Sequence, residues 1–89
     1  MSPEAILQRA KETIEDRQNY GEFEVTAFRT AAILEKTLDE PYTPEKWLLT
    51  MVGTKLARIA NDSENLDHYL DAICYLAQLA AFVDKDWEF

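Results

Sequence analysis

Apolar residues recur along this chain at helical intervals, in four blocks separated by short polar breaks. In the first block Ile6, Leu7, Ala10 and Ile14 line one side of a helix. Ser2-Pro3-Glu4 supplies its start: a hydroxyl cap, a proline in the first turn, and an acid beside the positive end of the helix dipole. That helix should run to about Asn19, with Gly21 supplying the break. A second, from about Glu22 to Leu38, carries Phe23, Ala27, Ala31, Leu34 and Leu38 on one side. Val25, Phe28 and Ile33 lie off that stripe, so this helix is expected to touch two neighbours.

After the connector Asp39-Glu40-Pro41-Tyr42, Thr43-Pro44-Glu45 repeats the start signal and opens a third helix to about Ala60. Its expected seam is Leu48, Val52, Leu56 and Ile59, with Trp47 and Met51 alongside. Asp62-Ser63-Glu64 is the expected cap of a fourth helix, which reaches about Val83 through Leu66, Leu70, Ile73, Ala77 and Ala80. Tyr69, Leu76 and Val83 widen its apolar face. Short connections favour antiparallel neighbours. The reading is an all-α, four-helix antiparallel bundle forming one domain over residues 1–89, ending in a tail, 84–89, that holds Trp87 and Phe89.

Composition sharpens this in three ways. A chain of 89 residues buries only about 60% of its unfolded surface, so completion of the core by a homo-oligomer is expected. A formal charge of −8 argues against general affinity for nucleic acid, whose phosphates demand a basic surface. No apolar run approaches the roughly 20 residues that span a bilayer, and the first residues lack the basic and apolar regions of a signal peptide. Cys74 is the single cysteine, which excludes an internal disulfide and a multi-cysteine metal site. No membrane association and a cytoplasmic, reducing location are therefore expected.

Candidate chemistry concentrates on the last two helices. Lys55 lies eight residues before Ser63 and Asp71 eight after; Arg58 lies five before and Asp67 four after. Helices folded back at that turn would set Lys55 level with Asp71 and Arg58 roughly level with Asp67. Asp67, Asp71, Tyr75 and Gln78 share one face of the fourth helix, a polar stripe in an otherwise apolar segment. Charges embedded in apolar sequence are expected to be paired. The quartet is either a brace that fixes register or a site where Arg and Lys grip phosphate. Arg17 and Tyr20, in Arg17-Gln18-Asn19-Tyr20-Gly21, form a second candidate: Tyr20 could stack on a base and Arg17 contact phosphate, against the plainer reading of a capped helix end.

The run from Asp67 through Asp71 to Leu76 resembles the last motif helix of the MazG-like, all-α nucleotide pyrophosphohydrolases. In that superfamily four carboxylates, two of them glutamates on an antiparallel neighbour, hold Mg²⁺ on a nucleoside triphosphate. Residues 5 to 80 are more similar still to a phage-borne branch of unassigned function. The likeness rests on Arg17 before Tyr20-Gly21, on Thr43-Pro44, on Met51-Val52 with Lys55-Leu56-Ala57-Arg58, and on Asp67, Asp71 and Tyr75. Asp71 matches the family aspartate, but His68 stands where its glutamate partner is expected, and Lys55 and Arg58 replace the glutamate pair. Mg²⁺ prefers several hard oxygen ligands, so two cations in their place remove ligands and repel the metal.

The resemblance therefore implies a scaffold that holds nucleotide phosphates without hydrolysing them. The expected ligand-binding residues are Arg17, Tyr20, Lys55, Arg58, Asp67, Asp71 and Tyr75, with no metal and no cofactor. The expected partner is a nucleotide-type small molecule, and the expected role is sequestration of a nucleotide signal in phage counter-defence, in the host cytoplasm. Two alternatives stand beside it. One is a Mg²⁺-dependent pyrophosphohydrolase using Asp67, Asp71 and Glu64; the other is an acidic interaction module that mimics DNA.

Overall fold

Hydroxyl side chains open two of the four helices. In the computed structural model, which describes residues 1–18 and 23–84, Ser2 Oγ accepts the amide of Ala5 at the head of α1 (Pro3–Gln18). Thr43, in extended backbone, accepts the amide of Lys46 at 3.1 Å at the head of α3 (Pro44–Asn61). Each such cap is worth about 1 kcal/mol. The other two helices are α2 (Phe23–Leu38) and α4 (Leu66–Asp84). The all-α, four-helix reading holds, and no strand occurs among the described residues. Gly21, the side chain of Phe23, and Trp87 and Phe89 of the tail lie outside the described residues.

The α3–α4 turn differs from expectation. Asp62 closes α3 instead of opening α4: its amide donates to the Arg58 carbonyl at 2.9 Å. Asn65 is the cap of α4, its side-chain oxygen accepting the amide of Asp67 at 3.0 Å. A run of four polar residues, Asn61 to Glu64, precedes Asn65, and the one adjacent to the first apolar turn takes the role. At the other end of the chain's first half, Asp39 adopts φ 55°, and the Glu40 amide reaches back to the Glu35 carbonyl. That is a left-handed helix stop made without glycine.

α3 and α4 form the most extensive contact; α1 packs on α4 and α2 on α3. The α1–α4 junction is built from Ala10, Leu70 and Cys74, all buried, with Ile6, Ile14, Leu66 and Ile73 around them. Cys74 Sγ donates to the Ala10 carbonyl at 3.6 Å, so a thiol and an alanine let the two backbones approach closely. On α2, Ala27 and Ala31 are buried as expected, while Ile33 and Leu38 are exposed.

Two seams differ from the periodicity in the sequence. Leu56 is 55% exposed; the α3 seam is Leu48, Val52, Lys55 and Ile59. Steps of four, three and four stay on one face, whereas successive steps of four to Leu56 drift about 40° each. On α4 the buried positions are Leu70, Ala72, Cys74 and Gln78, and Ala77 and Ala80 are exposed. A helix with α1 on one flank and α3 on the other buries two sides, which a single-stripe reading does not capture.

Candidate functional site

Asp71 is the hub. It sits in the second turn of α4, and each of its carboxylate oxygens takes a cation from a different helix. Arg17, in the last turn of α1, donates to Oδ1 at 2.8 Å. Lys55 of α3 donates to Oδ2 at 3.2 Å. The Arg17 side chain is 34% exposed, Asp71 23% and Lys55 12%, so solvent reaches the group from the arginine side.

Aromatic rings frame the charges. The Arg17 guanidinium lies 5.9 Å from the centre of the Tyr75 ring, one turn beyond Asp71 on α4. Trp47, from the first turn of α3, meets Tyr75 edge-on with centroids 6.2 Å apart. A guanidinium over an aromatic face gains both electrostatic attraction and a fixed plane. Gln78 continues the line of Asp71 and Tyr75 along α4. It is 5% exposed and its Oε1 has no hydrogen-bond partner among the described residues.

The sequence-predicted residues therefore divide. Lys55, Asp71, Tyr75 and Arg17 come together. Arg58 and Asp67 do not: both are exposed, and no ion pair links them among the described residues. Arg58 is one turn from Lys55 on α3 and exposed. Asp67 is one turn before Asp71. Tyr20 lies outside the described residues. The level pairing of Lys55 with Asp71 was readable from the turn; the arrival of Arg17 was not, because nothing in the pattern of α1 states which helix its end meets.

Two features limit the chemistry. Both oxygens of Asp71 are engaged by cations, and no cluster of three or more His, Cys, Asp or Glu side chains able to hold a metal occurs among the described residues. A divalent ion at Asp71 would have to displace one of the two cations that hold its oxygens. Cys74, one turn along α4 from Leu70, is fully buried, and burial pushes its thiol above the ordinary value. The nearby Arg17 charge opposes that shift and Asp71 adds to it. It is a packed thiol, not an activated one.

The described hollows lie elsewhere. One of about 340 Å³ between α1 and α4 is lined by Leu7, Ala10, Ile14, Ile73 and Ala77; another, shallow and apolar, covers the end of α4 around Leu76 and Val83. No helix among the described residues is long and apolar enough to cross a membrane. No curated protein and no solved structure matches the sequence. Residues 5–83 match the family described as a domain of unknown function, DUF6378, and over that span, nearly its whole length, the chain belongs to this family.

Proposed function

We propose that this protein binds a phosphate-bearing, nucleotide-type anion without hydrolysing it. One observation carries the reading: two cations from separate helices converge on a single, partly buried carboxylate. Among the described residues these three groups carry one positive charge in excess, inside a chain of formal net charge −8. An excess cation held partly out of water is stabilised by an anion, and guanidinium plus ammonium is the pairing that phosphate oxygens accept well. Asp71 fixes both cations in place, so little ordering remains to be done when the anion arrives. Arg58, exposed one turn along α3 from Lys55, supplies a further contact. Tyr75, facing the Arg17 guanidinium, holds that cation in a fixed plane.

This reading keeps the MazG-like resemblance and explains its departures. Lys55, which stands where that superfamily has a metal-binding glutamate, takes over the counter-charge role towards phosphate. Sequestration of a nucleotide signal, in phage counter-defence, is the biological role that follows. The pyrophosphohydrolase alternative is disfavoured by the engagement of both Asp71 oxygens.

Titration calorimetry without divalent metal tests it, using pyrophosphate and a panel of di-, tri- and cyclic nucleotides. We expect saturable binding of at least one of these, weakened roughly ten- to a hundredfold by Lys55→Met and by Arg17→Met, as befits loss of a charged hydrogen bond. Absence of heat with every compound, or binding indifferent to both substitutions, contradicts the proposal. So does Mg²⁺-dependent release of pyrophosphate from any nucleoside triphosphate.

A further inference from the structure

Among the described residues, the side of the α3–α4 pair opposite the charged group is apolar and uncovered. Going round α3 from Lys55, the seam residues Leu48, Ile59 and Val52 come first, and beyond them Leu56, Leu49 and Gly53, all exposed. Going round α4 from Asp71 past buried Ala72, on the flank away from α1, come Tyr69, Leu76 and Val83, also exposed. The stripes lie about 100° to 160° round their helices from Lys55 and Asp71. Because the Lys55–Asp71 bridge marks one edge of the interhelical contact, both stripes fall on the other edge, side by side. α1 and α2 approach from elsewhere: Cys74 touches Ala10, and Phe82 meets Phe28 edge-on at 5.8 Å.

We infer that this face is the interface with a second copy of the same chain, joining two α3–α4 pairs into a four-helix layer. The five large side chains are between 38% and 68% exposed. Together they leave on the order of 500 Å² of apolar surface open, at the upper range of what a monomer shows. A stable interface takes roughly 800 Å² from each partner, so this patch and a modest rim suffice. Gly53 has nothing within 4 Å of where a Cβ would stand, leaving room for a partner's side chain near the α3 backbone.

Charge selects the partner. No Asp, Glu, Lys or Arg lies on either stripe, although the chain as a whole is strongly acidic. Two copies can therefore meet here without bringing like charges together, which their remaining surfaces would do. A two-fold arrangement makes the patch complementary to itself and closes the assembly. The inference does not rest on the anion-binding proposal.

Sedimentation equilibrium on the full chain, across the low- to high-micromolar range, tests it. The wild type should show twice its single-chain mass of 10.3 kDa. Leu56→Glu and Leu76→Glu should each weaken association by roughly a hundredfold, the scale of a central interface residue. Ile33→Glu, at an equally exposed position on α2 outside the patch, should leave it unchanged. Far-UV circular dichroism checks that each variant is helical, and Leu56→Ser and Leu76→Ser serve where a glutamate prevents folding. A wild type that stays at 10.3 kDa throughout, or an assembly that survives both substitutions while Ile33→Glu dissolves it, overturns the inference.

Discussion

Replacing Asp71 by asparagine removes one charge and strands two. The side chain keeps its shape, but Lys55 Nζ, 12% exposed and 3.2 Å from the carboxylate, loses its counter-ion, as does Arg17 at 2.8 Å. At an effective dielectric constant of about 20, a unit pair at that separation attracts by about 5 kcal/mol. Desolvation already offsets part of this, and the 23% exposure of Asp71 admits water to the rest. Breaking fully buried pairs typically costs about 3–5 kcal/mol and exposed ones under about 1. Asp71→Asn should therefore lower stability by about 2 kcal/mol, which for a domain of this size is about 10 °C in melting temperature. Urea denaturation at low and at moderate salt reads the effect. Adding Lys55→Met to the Asp71→Asn variant should recover about half the loss, because a thioether needs no counter-charge. A loss below about 0.5 kcal/mol, or a double variant no better than the single, would refute the claim that these charges are held out of water.

Three further outcomes follow from other parts of the fold. Cys74 has its thiol pushed up by burial, so the neutral form is favoured in the folded state. Its contribution is complete below the ordinary thiol value of about 8.5 and is lost as pH rises through the raised value. Urea midpoints should thus fall above that pH, less so in Cys74→Ala; thiol-reagent labelling should be slow until the chain unfolds, and fast labelling at neutral pH would contradict the packing described. Asp39 holds a left-handed φ of 55°, so Asp39→Gly should stabilise by roughly 0.5–1 kcal/mol; a loss of stability would mean its side chain is doing more than tolerating the turn. Gln78 buries an oxygen with no partner among the described residues, and its desolvation costs about 1–3 kcal/mol. Gln78→Leu should therefore raise the urea midpoint, and a drop would point to a bond that satisfies Oε1.

Helix content was legible because local rules fix it. Ser2 and Thr43 announce two starts, and both caps form as written. The Lys55–Asp71 register was legible because a short turn leaves two antiparallel helices little freedom. What failed was non-local. Leu56 and Lys55 are adjacent, and which of them joins the seam depends on where α4 sits, a fact absent from α3 itself. Asn65, adjacent to Leu66, takes the cap expected from Asp62-Ser63-Glu64, where a hydroxyl, an amide and acids compete on nearly equal terms. Arg17 reaches Asp71 across 54 residues, and no periodicity within α1 encodes that contact.

The central claim is that Arg17 and Lys55, steadied by Asp71, receive a phosphoanion. Nuclear magnetic resonance of the ¹³C,¹⁵N-labelled protein follows it most directly, by titrating pyrophosphate and then the tightest-binding nucleotide from the calorimetric panel. The Lys55 Cε, Arg17 Nε and Tyr75 ring signals should move together along one saturable curve, while exposed Lys11 and Lys36 stay still. Signals of Lys55 and Arg17 that remain fixed while Lys11 and Lys36 drift linearly would contradict it, leaving the three charges as a brace between helices and nothing more.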